Sequence, residues 1–114
     1  MVRHSSGLKT LSGTSPTTLW TTSIDRSSRI TKITIYNPDT ADHTVYIGKY
    51  DGTTFTQVFP GIKVLAGETV ILNEEDIPAE KTYSTKNKQY SWAAKLEASV
   101  TANNVEITIE VEEQ

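Results

Sequence analysis

The sequence predicts an all-β fold: an antiparallel β-sandwich, jelly-roll-like or immunoglobulin-like, with an extended N-terminal arm. Three observations carry that reading. β-Branched residues dominate the apolar set, with 18 Thr, 10 Ile and 8 Val against 6 Leu. Such side chains lose rotamer freedom in helices and pack well on a pleated sheet. Apolar residues then recur with a period of two, the repeat of a strand with one face buried. Finally, these short runs are separated at close intervals by Gly, Pro, Asn and Asp, the spacing of a sandwich or barrel.

A chain of 114 residues has room for one ordinary domain. Residues 1–16 mix Ser, Gly and Thr with scattered Val2, Leu8 and Leu11; they are too polar for a core strand and are expected to form an arm. The sandwich is expected over residues 17–114. Its first strand, Thr17–Ser23, centres on Leu19 and Trp20. In Arg29–Tyr36, Ile33 and Ile35 point one way while Lys32, Thr34 and Tyr36 point the other. The turn formers from Asn37 to Asp42, Pro38 among them, should reverse the chain into Thr44–Tyr50, with Val45 and Ile47 inward. That hairpin would set Tyr36 and Tyr46 across from each other.

Asp51-Gly52 marks the next turn, and Phe55–Phe59 runs into Pro60-Gly61, which suits a sheet edge. Ile62–Leu65 and Thr69–Leu72 flank the turn Ala66-Gly67-Glu68. Residues 73–88 are polar, with Ile77-Pro78 as their apolar anchor, and read as a surface excursion. Tyr90–Val100 and Val105–Glu112 read as a terminal hairpin about Thr101-Ala102-Asn103-Asn104. Trp92, Ala94, Leu96, Ala98 and Val100 would face inward on one strand, and Val105, Ile107, Ile109 and Val111 on the other. Glu106, Glu110 and Glu112 then line the outer face, either guarding an exposed strand against promiscuous pairing or docking on a neighbour's basic patch.

Composition narrows the chemistry. Without cysteine there is neither a disulfide framework nor a thiolate metal site. No stretch approaches the roughly 20 apolar residues that a bilayer requires, so no membrane is expected as a partner. Residues 1–50 carry six Lys/Arg against three Asp/Glu, and residues 51–114 carry five against eleven. This asymmetry allows head-to-tail charge complementarity between subunits. Nucleic acid is not expected, because the lysines are scattered among acids rather than gathered on one face.

No catalytic array emerges, and the chain is not read as an enzyme. His4 in the arm and His43 in a turn are not spaced as a metal pair on one element, and His43 is expected to be solvated. No Gly-x-Ser-x-Gly elbow occurs, and no Gly-rich phosphate cradle implies a nucleotide. Glu74-Glu75-Asp76 are neighbours on a loop and cannot face one another across a substrate, and they lack the alternating ligands and glycine of a calcium loop. No metal or cofactor is expected. Trp20, Tyr36, Tyr46, Tyr50, Tyr90 and Trp92 admit a sugar-stacking platform, but tyrosines also serve sheet packing and subunit interfaces, and that reading is favoured.

Three stretches carry a family likeness: Arg29-Ile30-Thr31-Lys32-Ile33-Thr34-Ile35-Tyr36-Asn37, Leu65-Ala66-Gly67-Glu68-Thr69, and Ala98-Ser99-Val100-Thr101-Ala102-Asn103-Asn104-Val105-Glu106-Ile107. In their order this chain resembles small β-sandwich structural proteins of tailed bacteriophages, a group that includes head decoration and tail-associated accessory proteins. The resemblance implies a virion protein, foremost a capsid decoration or stabilisation subunit that assembles symmetrically, commonly as a trimer, on a major capsid or tail protein. Tail-associated, fibre-base and carbohydrate- or receptor-binding roles remain alternatives. It further implies that residues 1–16 contact the shell or an adjacent subunit through Val2, Leu8 and Leu11, with Tyr36, Tyr46 and Tyr50 as further contact candidates. It carries over no catalytic residue.

Overall fold

The computed structural model describes residues 2–114; Met1 lies outside them. Eleven strands form two antiparallel sheets: β1 (Val2–Ser5), β2 (Lys9–Leu11), β3 (Thr17–Thr21), β4 (Ser27–Tyr36), β5 (His43–Tyr50), β6 (Phe55–Gln57), β7 (Ile62–Val64), β8 (Thr69–Leu72), β9 (Tyr83–Ser84), β10 (Ser91–Leu96) and β11 (Val105–Glu113). Sheet A has the order β1-β11-β4-β8, with β2 also on β11 and β9 also on β4. Sheet B has the order β3-β10-β5-β6, with β7 also on β5. The β-sandwich expected from the sequence is the architecture observed.

The period-two pattern placed most of the core, but β10 ends at Leu96, so Ala98, expected to face inward, is exposed and Val100 is only half-buried. Ile33, Ile35, Val45, Ile47, Val105, Ile107, Ile109 and Val111 are all fully buried between the sheets. One irregularity resets the pattern. Glu110 pairs with Lys32 but Val111 pairs with Ile30, so Thr31 is an extra residue, a bulge that turns Ile30 and Ser28 inward below it. Trp92 is the centre of the core. Tyr90 and Tyr83 meet it edge-on at 5.7 and 5.8 Å, Phe59 lies 6.1 Å away, and its indole Nε1 donates to Ser28 Oγ at 2.9 Å.

Both expected hairpins are corrected. β10 and β11 do not pair: β10 lies between β3 and β5 in sheet B, and β11 between β1 and β4 in sheet A. Likewise β4 belongs to sheet A and β5 to sheet B. Asn37–Asp42 and the stretch around residues 97–104 are therefore crossovers between sheets. The physical reason is burial. Both members of each pair carry an apolar face, and stacking those faces across the sandwich buries them together, whereas a hairpin would only set them side by side.

The N-terminal segment is not a separate arm. β1 runs along the upper half of β11, Val2 opposite Glu113 and Ser5 opposite Glu110, and β2 along its lower half, Leu11 opposite Val105. Without them β11 would leave a row of N–H and C=O groups unpaired. A strand at the border of a sheet tolerates the polar composition that argued against a strand here. β11 is consequently interior, so its glutamates do not guard an edge. The excursion after Asn73 is also more structured than expected: it contains β9, which pairs with Ser27 and Ser28, and it buries Ile77.

Close approach dictates one glycine. A Cβ on Gly48 would lie 2.0 Å from the carbonyl oxygen of Thr56, because the β6 backbone passes directly over it. Gly48→Ala is expected to cost about 3 kcal/mol through enforced overpacking or to prevent folding. Gly13→Ala, whose Cβ would meet only the rotatable hydroxyl of Ser99 at 3.2 Å, should stay within about 1 kcal/mol of the parent. Urea unfolding of the two variants checks the contrast.

Candidate functional site

The sandwich presents two broad outer faces, and the residues singled out from the sequence divide between them. Tyr36 projects from the outer face of sheet A, 41% exposed, beside Ile71 of β8 at 51%. Tyr46 and Tyr50 project from the outer face of sheet B, because Val45 and Ile47 take the alternate inward positions. The expected pairing of Tyr36 with Tyr46 does not occur; Tyr36 stands opposite Glu106 and Thr69, and Tyr46 opposite Lys95. Among the N-terminal candidates, Val2 and Leu8 are exposed while Leu11 is buried. Leu11 packs in the core of its own chain and leaves the set of contact candidates.

The six aromatics weighed as a sugar platform are likewise dispersed. Trp92 and Tyr90 are interior, and Trp20 stacks on the His4 imidazole at 4.4 Å, tying β1 of sheet A to β3 of sheet B. A cleft between Tyr50 and Tyr90 is bordered by Asp51, Lys88 and Gln89. Its polar groups are already engaged with one another. Asp51 accepts from the N–H groups of Thr53 and Thr54 at 2.8 and 2.7 Å and pairs with Lys88 Nζ at 2.7 Å.

Sheet A carries the acidic strip that the sequence placed on β11, and part of it is neutralised within the chain. Glu112 is buried, only 3% exposed. Arg29 Nε and Arg3 Nη2 each lie 3.4 Å from its carboxylate. The same two guanidinium groups reach Glu74, Arg29 at 2.7 Å and Arg3 at 3.0 Å, and hold its carboxyl below the usual range, Arg29 contributing most. The quartet links β1, β4, β11 and the 3-10 turn Glu74–Asp76. The acidic triplet read as a solvated loop thus supplies one structural ligand.

A second charged cluster was missed from the sequence. His43, expected in a solvated turn, is 3% exposed. Its Nε2 lies 2.6 Å from Asp39 Oδ2 and its Nδ1 lies 3.0 Å from Glu97 Oε1. Asp39 also accepts the N–H groups of Thr101, Ala102 and Asn103 at 2.9, 2.7 and 3.1 Å. Asn37, fully buried, donates to the carbonyls of Ala41 and Val64 and accepts from the Asp39 N–H. The cluster joins the β4–β5 crossover to the β10–β11 crossover. The two carboxylates sit on opposite ring nitrogens and do not converge on one point, so they clamp the imidazole rather than compose a metal centre. The signal available in the sequence was the i,i+4 spacing of Asp39 and His43 beside a proline turn, which is too common to single out.

No family model matches this chain. No curated protein matches it either. Among solved structures, the fold superposes on a chain of the acidic stable capsid structure of Helicobacter pylori bacteriophage KHP30 with a TM-score of 0.54 and 14% identity, covering 100% of this chain and 94% of that one. A chain of the cyanophage Pam1 capsid asymmetric unit aligns with a TM-score of 0.50 and 11% identity, covering 96% of this chain and 80% of that one. Anabaena sensory rhodopsin transducer aligns with a TM-score of 0.44 and 15% identity, covering 82% of this chain and 97% of that one, a superposition too weak to argue from. At these identities the likeness establishes a shared fold.

The His43 cluster sets a pH dependence. A neutral imidazole has one N–H, so hydrogen bonds to both carboxylates require the imidazolium. Burial opposes that charge, but Asp39 and Glu97 outweigh it and raise the pKa of His43 above 6.5. His43, then Thr101, hold Asp39 far below its ordinary 3.8. The raised histidine contributes stability that is complete below about pH 6.5 and is lost as pH rises through its folded pKa. The depressed aspartate contributes stability that is present above about pH 4 and is lost as pH falls. Thermal melts should therefore reach their highest midpoint near pH 5–6 and decline towards pH 9. His43→Gln should flatten the alkaline limb and also shrink the acid limb, leaving only the part of the Asp39 depression that the N–H groups of Thr101, Ala102 and Asn103 sustain.

The Arg29 quartet makes a separate prediction. Arg29→Ala leaves Glu112 buried with only the half-exposed and therefore more solvent-screened Arg3, at an expected cost of about 2–3 kcal/mol. Arg29→Ala/Glu112→Gln should recover a substantial part of that loss in denaturant unfolding, because the stranded charge is then gone.

Proposed function

We propose that this chain is a bacteriophage virion structural protein, in particular a capsid decoration or stabilisation subunit that assembles symmetrically on the phage head. The observation that carries the reading is the superposition on a KHP30 capsid chain along the whole of this chain and nearly the whole of that one. The Pam1 capsid chain supports it with 96% coverage of this chain. The order of strand and turn motifs in the sequence points the same way. Assembly on a shell also accounts for large side chains left in solvent. Val2, Leu8, Tyr36 and Ile71 are each more than 40% exposed, and apolar surface of this kind is spent at contacts with other chains.

In this role the chain works as a subunit without catalysis of its own. Its partners are further copies of itself, arranged in a closed cyclic trimer, and a major capsid or tail protein. Val2 and Leu8 on the N-terminal segment and the tyrosines of the two faces supply contacts. A free carbohydrate-binding role is less well supported, since the aromatic residues are divided among the core and two opposite faces.

The test is quantitative mass spectrometry of particles purified from a lysate of cells carrying the gene in its native genome. The expected result is a copy number comparable with that of the shell subunits, lost selectively when the gene is deleted. Particles that lack the protein at full yield and infectivity would remove the virion reading.

A further inference from the structure

Charge is divided between the two sheets with little mixing. Every Asp or Glu that lies in a strand lies on β11, in sheet A; the strands of sheet B contain none. On the outer face of sheet A, the quartet of Arg3, Arg29, Glu74 and Glu112 is closed upon itself. That leaves Glu106 and Glu110 of β11, both half-exposed, with Glu75 at the rim of the groove that Glu110 lines, against Lys32 and the half-exposed Arg3 of the quartet. The outer face of sheet B carries the reverse. Lys95 stands on β10 opposite Tyr46, and Lys63 on β7 opposite Thr44; the Glu97 carboxylate just past β10 accepts the Thr44 N–H and is engaged with His43.

We propose that copies of this chain associate head to tail, the acidic outer face of sheet A in one copy seating on the basic outer face of sheet B in the next. This deepens the assembly reading above and rests on it for the existence of self-association. Three features of the faces suit a second copy. Their charges are complementary, which selects the orientation and suppresses the A-on-A and B-on-B pairings. Each also offers an apolar or aromatic contact: Tyr36 and Ile71 on one, Tyr46 and Tyr50 on the other. Finally, the molecule measures 41 × 31 × 22 Å, and its short dimension is the thickness of two packed sheets with their side chains. The broad faces are larger than the roughly 800 Å² per partner of a standard stable interface.

Because the two surfaces differ, the contact is heterologous and propagates around a ring or along a stack rather than closing at two copies. It uses exposed charges, so its strength falls as salt shortens the Debye length from about 10 Å at 0.1 M.

Light scattering and sedimentation of the full chain across a concentration series, at 50 and 500 mM NaCl, test the proposal. The native protein should form species larger than a dimer at low salt and lose them at high salt. Two double variants reverse one face each: Glu106→Lys/Glu110→Lys makes both faces basic, and Lys63→Glu/Lys95→Glu makes both acidic. Each alone should be monomeric, with self-association weakened at least about tenfold. An equimolar mixture should reassemble, because each face of one variant complements the opposite face of the other. The glutamine variants at the same positions, with unchanged melting curves, guard against loss of folding and should weaken association in the same direction.

A native monomer at every concentration and salt overturns the proposal. So does an assembly whose mass survives either reversal, or a mixture that stays monomeric. Survival of the assembly after reversal would leave the virion reading standing and exclude these faces, whereas the particle composition tests the virion reading independently of them.

Discussion

The constraint on which the structure depends is that its chain changes sheet again and again, so that crossovers carry backbone polar groups across the ends of the sandwich. Those groups lose water and need partners. At one end the carboxylate of Asp39 accepts three successive N–H groups of the turn at 101–103 while Asn37 bridges two carbonyls. At the other end, hydroxyls do the equivalent work. Ser28 Oγ receives the Trp92 indole N–H and lies 2.7 Å from Thr22 Oγ1 and 2.9 Å from the Tyr90 hydroxyl. Tyr90 in turn donates to the Tyr83 carbonyl at 2.7 Å, and Thr85 accepts the Arg26 N–H and donates back to the same stretch. Two polar networks thus close the core, the second reaching in to the Trp92 indole at its centre.

The first network is ionic and the second neutral, with different consequences. A neutral hydroxyl network is indifferent to pH over the physiological range. A histidine held between two carboxylates is conditional on its proton, because deprotonation leaves one nitrogen lone pair facing a carboxylate. The same carboxylate that holds His43 also caps the neighbouring turn, so the two crossovers at that end respond together. Here electrostatics is part of the topology, since the groups that titrate are the groups that hold the crossovers.

The outer faces follow from a different economy. In sheet A, β11 is covered on both edges and its outward positions are free to carry charge without exposing a strand edge. Glu112 is drawn inward by two arginines and becomes structural, while Glu106 and Glu110 stay half-exposed. In sheet B the outward positions of β5 and β10 are Tyr46, Gly48, Tyr50, Ser91, Ala93 and Lys95. Gly48 is enforced by the backbone above it, and Lys95 lies across this region to within 4.8 Å of the Phe55 ring. One face is thus an acid-rich ladder and the other an aromatic surface studded with lysine.

Most strands and their facing are legible in the sequence, although β1, β2 and β9 are not. Period-two alternation is a local property of an extended backbone, so the inward facing of Ile33 and Ile35, Val45 and Ile47, and the four apolar residues of β11 follows from the sequence without reference to any partner strand. It could not determine pairing. Turn residues such as Asn37-Pro38-Asp39 and Thr101-Ala102-Asn103-Asn104 report that the chain bends, but a bend within a sheet and a crossing between sheets use the same residues. Which occurs depends on where the apolar faces find cover, a choice made over sequence separations of dozens of residues. The tertiary structure alone decided that Leu11 joins the core, that Glu112 is buried between Arg3 and Arg29, and that His43 meets both Asp39 and Glu97. Each depends on groups brought together from distant segments, and no local pattern encodes a partner 50 or 100 residues away.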